Sequence, residues 1–323
     1  MIKFIVAPGH GHTFKSLGEE RRAGAPVPAQ LLNYRQLFEA SALPPGVWVF
    51  CDIERLAVWE LRIAGEIARL IRARGWPVLN DPARAAARYE LLLRLHQAGF
   101  NRFRAWRAED GIPDARFPVF LRVESNHARP LSDLIKSKKA LAAAIDEQRE
   151  TGVALRGMLI VEYAAQPIAK GVFRKYGAYR FGDRIVADHL VHDTVWAAKY
   201  GAIEAWTDER FAEEFAYVRD NPHADALMRA FTIAGIDYGR VDYGLIDGEV
   251  QVWEINTNPS LPSNNLEKSP PARHETLLLS RKLRMAALAA LERDVVDPPL
   301  KLDSEFLAAH RMRQRGNLEI VRE

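Results

Sequence analysis

Short unbroken apolar runs bounded by glycine, proline or polar clusters open the chain, and Ile2 to Ala7 and Val47 to Cys51 read as buried strands. A stretch rich in Gly, Pro and Arg between them reads as a loop. After Ile53 the period changes: Leu56, Ala57, Ala64, Ile67, Leu70 and Ile71 recur at helical spacing up to Gly75, a residue suited to the left-handed position that follows a helix. Trp76 to Leu79 returns to a strand. Strand, helix and strand in succession predict a small α/β unit with a parallel sheet over residues 1–80.

Asp81-Pro82 has the form of a helix start, with Asp as N-cap and Pro in the first turn, and the Ala- and Leu-rich run behind it closes at Gly99. A boundary is therefore placed near Asn80. Further strands are predicted at Phe117 to Val123 and Met158 to Tyr163, with a helix at Lys138 to Thr151 between them. Val172 to Tyr179 and Arg184 to Leu190 form a hairpin around Gly182-Asp183. Helices at Asp208 to Arg219 and Ala224 to Ala234 precede two strands, Arg240 to Ile246 and Glu249 to Ile255, and a last helix runs from His274 to Leu291. This order is α+β, with a central lobe over 81–160, a C-terminal lobe over 161–293 and a charged extension over 294–323 that reads either as a peripheral helix or as an arm to a partner.

Composition narrows the class. The chain has 323 residues, 48% hydrophobic and 27% charged, as expected of a folded globular protein. Its 45 basic residues nearly cancel 42 acidic ones, so no global field points to nucleic acid. Cys51 is the only cysteine, which excludes an intrachain disulfide and a thiolate metal cluster and fits a reducing compartment. No run approaches the roughly 20 apolar residues of a membrane span, so a cytoplasmic protein is expected.

The segment from Arg240 to Asn258 carries the chemistry. Asp242, Glu254 and Asn256 fall where a β-prone hairpin is otherwise apolar, and buried carboxylates need compensating positive charge. Hard oxygen donors in an incomplete set suit Mg2+ shared with substrate phosphates, whereas solvated or salt-bridged strand residues are the plainer alternative. Glu254 and Asn256 share a strand face. Asp242 joins them only if the parity is shifted, since a two-residue turn at Asp247-Gly248 alone would pair it with Trp253. Either a three-residue loop, Ile246 to Gly248, or a bulge in one strand is required.

Gly239-Arg240-Val241-Asp242 followed by Glu254-Ile255-Asn256-Thr257-Asn258-Pro259 resembles the metal-binding hairpin of ATP-grasp enzymes, including the D-alanine:D-alanine ligase and ribosomal-protein glutamate ligase groups. The resemblance implies two α+β lobes with ATP between them. It further implies that Asp242, Glu254 and Asn256 hold Mg2+ and that Arg240 meets the transferred phosphoryl group or the acyl intermediate. A weaker likeness runs from Asn80 to Pro262. The family's two phosphate-contacting lysines fall at Arg88 and Arg122, and a glycine-free loop with Ser125 and His127 stands in place of its glycine-rich flap. Glu162, Tyr163 and Ala164 correspond to the linker that meets the adenine. Arg174 and Lys199 are further candidates for the nucleotide or its γ-phosphate, with a solvated sheet edge the alternative for the former.

What the resemblance implies is an ATP-grasp ligase that joins a small-molecule or peptide carboxylate to an amine acceptor through an acylphosphate. No nucleic-acid or membrane partner is expected, and a homodimer is left open. A kinase on the same fold and a nucleotide-binding regulatory module without turnover are the rival readings. Gly9-His10-Gly11-His12 lacks the spacing of a phosphate loop and is read as structural, and Arg102, Arg104 and Arg107 as surface.

Overall fold

The computed structural model describes residues 1–17, 27, 29–199, 201–261 and 266–310. Three sheets account for most of it. The first, in the order β2-β1-β4-β5, is parallel throughout, built from β1 (Ile2–Val6), β2 (Ala29–Asn33), β4 (Val47–Phe50) and β5 (Val78–Leu79). The Gly-, Pro- and Arg-rich stretch thus contains more than a loop: besides β2 it supplies α1 (Tyr34–Glu39), capped at both donors by the Asn33–Gln36 pair, and the short β3 (Ala42–Leu43). Its apolar positions are too sparse to show a period. The helix expected from Ile53 is shorter, α2 (Val58–Ala73), and Gly75 is left-handed as a terminator requires.

A second sheet, β6-β8-β7, joins β6 (Ala105–Arg107), β7 (Val119–Val123) and β8 (Met158–Glu162), all antiparallel. One face is covered by α4 (Lys138–Glu150), through Leu141 and Ile145. The third and largest sheet runs β11-β10-β12-β13. It comprises β10 (Val172–Phe181), β11 (Arg184–Asp193), β12 (Tyr238–Ile246) and β13 (Glu249–Asn256), with β9 (Pro167–Ala169) beside the start of β10. On one face of it Tyr176, Ala178, Val241 and Tyr243 pack against α5 (Asp208–Asp220) and α6 (Ala224–Ala234). Leu91 and Leu95 of α3 (Arg88–Gln97) enter the same core, so this helix, placed with the central lobe on sequence, packs against the third sheet.

That helix also begins later than Asp81-Pro82 suggests. Asp81 does initiate a turn, its Oδ1 accepting from the Ala83 amide, but the next amide available to a helix, that of Ala86, donates instead to the Ala234 carbonyl at the end of α6. Helix α3 starts only at Arg88. The extension folds back on the first sheet: β14 (Leu300–Lys301) pairs with β3, and Leu302 and Leu307 complete the core beneath α2. Residues 311–323 lie outside the described residues, as do 262–265 of the loop after the hairpin.

Asn80 stitches the first unit to the third sheet. Fully buried and left-handed, it donates to the carbonyls of Phe50 (3.0 Å) and Tyr238 (2.7 Å), and its Oδ1 accepts from the amides of Asp237 (2.8 Å) and Tyr238 (2.9 Å). Alanine there would leave four buried backbone groups unpaired and a Cβ residue at positive φ. Asn80→Ala is therefore expected to lower unfolding stability by about 3 kcal/mol in urea titration. A loss below about 1 kcal/mol would show that water takes over these bonds.

Candidate functional site

The hairpin β12–β13 solves the parity problem by its second route. Its turn has two residues, Asp247 and Gly248, both at positive φ, so the three-residue loop does not form. The register slips instead at Trp253: Tyr243 faces Val252, whereas Asp242 faces Glu254. Trp253 is the extra residue of a bulge. Its indole lies over Gly244, where a Cβ would come within 2.6 Å of the ring, and its Nε1 donates to the Ala164 carbonyl at 2.9 Å. Glycine at 244 thus makes room for the bulge, and the bulge turns Glu254 toward Asp242. The row continues across the sheet, since Asp242 faces Gly177 and Gly177 faces His189.

Five cationic groups surround three carboxylates at this row. Glu254 accepts from Arg88 (2.5 Å), Arg122 (3.1 Å) and His127 (2.9 Å). Asp242 accepts from Lys175 (2.9 Å) and Arg240 (3.2 Å). His127 reaches Glu54 through its other nitrogen at 3.3 Å, and Glu54 is held in turn by the Thr257 hydroxyl at 2.9 Å. Burial opposes the charge on both hairpin acids, yet Arg88, His127 and Arg122 hold the Glu254 carboxyl well below its ordinary range, and Arg240 and Lys175 lower Asp242. Burial and the neighbouring Arg88 push Arg122 down to about 10, whereas for His127 the two carboxylates outweigh burial and raise the imidazole to about 9. With the cations charged, positive charge is in excess.

All of these groups except Arg88 and Glu54 border a cavity of about 350 Å3 between the second and third sheets. One end is apolar, formed by Leu92, Phe103, Phe120, Val161, Trp196 and Trp253. The other carries the ion-paired Arg122, His127, Lys175, Arg240, Asp242 and Glu254, and Lys199 also borders the cavity. Of the linker residues, Ala164 and Glu162 border the cavity, but the Glu162 carboxylate is taken by the Arg104 guanidinium and by the amides of Arg104 and Arg116.

Several expected residues stand elsewhere. Among the described residues the wall does not include Arg88, Ser125, Tyr163, Arg174 or Asn256. Arg88 lies behind Glu254, its guanidinium also donating to the carbonyls of Val123, Glu124 and Asn126. Ser125 is exposed. The Tyr163 ring rests edge-on against Trp196. Asn256, opposite Arg240, accepts from the Asn258 amide at 2.8 Å. Strand alternation sends Arg174 to Glu213 and over the Tyr176 ring, on the helix-covered face, and brings Lys175 to the cavity. Lys175 and Glu54 were missed on sequence: parity alone cannot choose between adjacent basic residues when both sets of neighbours contain aromatics, and Glu54 carries no motif.

With this geometry established, the solved structures are informative. The D-alanine–D-alanine ligase from Coxiella burnetii aligns with 100% of this chain and 99% of its own, at 13% identity and a TM-score of 0.50. The chain has the ATP-grasp fold. A RimK domain ATP-grasp protein from Sphaerobacter thermophilus (14% identity, TM-score 0.49, 91% of this chain and 99% of that one) and the ATP-grasp ligase PsnB with its minimal precursor (15%, 0.49, 90% and 98%) are also similar. No protein-family model and no curated protein matches the chain. In ATP-grasp terms the cavity lies between the two lobes, and the first sheet is the unit that precedes them.

The ionic network makes its own prediction in the ligand-free protein. An imidazole raised to about 9 stabilises the fold fully below its ordinary value near 6.5, and that contribution is lost as pH rises through 9. Glu254→Gln removes the negative charge shared by three cations, so His127, followed by ring-proton NMR, is expected to titrate well below 9 and the fold to lose roughly 3 kcal/mol. An unchanged His127 titration would contradict the network.

Proposed function

We propose that the chain is an ATP- and Mg-dependent carboxylate–amine ligase acting through an acylphosphate. The observation that carries this reading is the bulge at Trp253, which sets Asp242 opposite Glu254 on the floor of a cavity whose cationic end suits a triphosphate and whose apolar end suits a flat base. An unpartnered buried donor, Arg122 Nε, at the cationic end fits an anionic ligand as well. Asp242 and Glu254, with Asn256 on the same strand face but beyond the cavity wall and able to join only by releasing the Asn258 amide, would be an incomplete cage, as suits Mg2+ when phosphate oxygens supply further positions. Among the described residues no cluster of three or more His, Cys, Asp or Glu side chains suits a metal without such help.

In this reading Arg122, His127, Lys175 and Arg240 turn from the carboxylates toward the phosphates, joined by Lys199 from the cavity wall, and Asp242 and Glu254 would then hold Mg2+. The metal, when bound, spreads the charge that develops on the transferred phosphoryl group. Arg240 and Lys175 stand beside Asp242, where a substrate carboxylate attacking that phosphorus would be held as an anion. Ala164 and Glu162 meet the base through their main chain. The amine then displaces phosphate from the acyl carbon, giving an amide, ADP and free phosphate. A cytoplasmic setting belongs to the same proposal; no helix among the described residues is long and apolar enough to cross a membrane.

A screen of amino acids and other carboxylates against amines, followed by ADP and phosphate release, tests the reading. Phosphate release that needs both partners is expected, and Asp242→Ala or Glu254→Ala should lower it about 100-fold or more. A phosphorylated product without free phosphate would favour a kinase. Nucleotide binding with no turnover would favour the regulatory module, for which the glycine-free loop at 124–128 speaks.

A further inference from the structure

The row that contains Asp242 ends at a histidine for which the ligase reading above has no use. His189 lies on β11, faces Gly177, and borders the cavity. Gly177 has no side chain to fill the space between His189 and Asp242, and the ring occupies it: a Cβ at 177 would stand 2.7 Å from His189 Cε1. Two strand spacings, about 10 Å between backbones, separate residues 189 and 242, and the imidazole leans over the strand between them.

A second bulge equips this histidine. Gly177 faces His189 but Ala178 faces Ala187, so Asp188 is the extra residue in β11. Neighbours on a regular strand point to opposite faces. Here Asp188 Oδ2 instead meets His189 Nδ1 at 2.5 Å. The Asp188 carboxylate is buried and doubly anchored on α7 (His274–Ala289), accepting from Ser280 Oγ at 2.8 Å and from Arg284, whose guanidinium lies over the Tyr179 ring. Arg284 and His189 keep that carboxyl ionised in spite of burial. An ionised acceptor at Nδ1 fixes the proton there and leaves the lone pair on Nε2. Among the described residues no hydrogen bond engages Nε2. A carboxylate that orients an imidazole on a cavity wall and leaves its second nitrogen unengaged is the arrangement that general-base catalysis needs.

We propose that His189 is the general base that activates the amine nucleophile, with Asp188 as its positioning residue; this rests on the ligase reading. An amine arrives as an ammonium ion and has no lone pair until a proton leaves. His189 Nε2 takes that proton, and Asp188 stabilises the resulting imidazolium. The nitrogen then forms the C–N bond to the acyl carbon, the C–O bond to phosphate breaks, and phosphate departs with that electron pair. The second amine proton leaves with the phosphate, so the products are an amide, hydrogen phosphate and an imidazolium that returns its proton to water.

Hydroxylamine separates this role from a structural one. It is unprotonated at neutral pH and traps an acylphosphate as the hydroxamate without a base. His189→Gln is expected to lower amide formation with an alkylamine or amino-acid acceptor about 100-fold, while hydroxamate formation from the same carboxylate and Mg-ATP stays within about threefold of wild type. Gly177→Ala, whose Cβ must displace the imidazole while leaving the His189 and Asp188 side chains chemically intact, should show the same split, and it decides the matter if His189→Gln does not fold. Equal loss of both products, or full retention of both, overturns the general-base role. Wild-type protein that forms no hydroxamate with any carboxylate of the screen overturns the ligase reading itself, and the proposal with it.

Discussion

A carboxylate taken out of water must be matched by positive charge, and Glu254 is the point at which this chain meets that demand. Its partners come from every part of the molecule. Arg88 stands at the start of α3, Arg122 at the end of β7, and His127 on the loop beyond. His127 passes the connection to Glu54, and Glu54 to Thr257, which follows β13 itself. One buried anion therefore ties the first unit, the second sheet and the hairpin into a ring of hydrogen bonds that the chain itself closes between Thr257 and Glu254. Such a ring costs desolvation and gains little net stability, so its value lies in the geometry it fixes around the cavity.

That geometry depends on two irregularities of one sheet. Regular alternation would turn Glu254 away from Asp242 and Asp188 away from His189. Each bulge returns an acid to the face where it has a partner, and each is accommodated by a glycine on the strand alongside: Gly244 under Trp253, Gly177 under His189. The sheet thereby presents His189, Gly177, Asp242 and Glu254 as one line across four strands. A flat ladder with the same residues would distribute them over two faces, one of them covered by α5 and α6.

Much of this was legible because it follows from local chemistry. Buried strands, the helix that closes at Gly75, and the acids on the hairpin are properties of a few consecutive residues. The need for a parity shift was legible too, but its location was not: Asp247-Gly248 forms the ordinary two-residue turn, and the bulge depends on an indole that reaches the Ala164 carbonyl from 89 residues away in sequence. Glu54, Asp188 and His189 escaped for the same reason, since nothing near them in sequence reveals what they touch. Asp81-Pro82 misled in the opposite sense. The local signal for a helix was sound, and a tertiary hydrogen bond to Ala234 overrode it.

The departure of this chain from the ATP-grasp pattern at residue 88 becomes intelligible in the same terms. The resemblance puts a phosphate-contacting lysine there, and a glycine-rich loop where Glu124 to Ala128 stand. Glycines let a loop turn its amides toward an anion; without them the loop needs something else to fix its path. Arg88 supplies it, gathering the carbonyls of Val123, Glu124 and Asn126 on one nitrogen while the other serves Glu254. A lysine has a single nitrogen and no planar fork, and could not hold a loop and a carboxylate in fixed relation at once. The glycine-free loop and the arginine at 88 thus belong together: Arg88 supports the loop from behind Glu254 rather than from the cavity wall, where the cationic side chains are those of Arg122, His127, Lys175, Lys199 and Arg240.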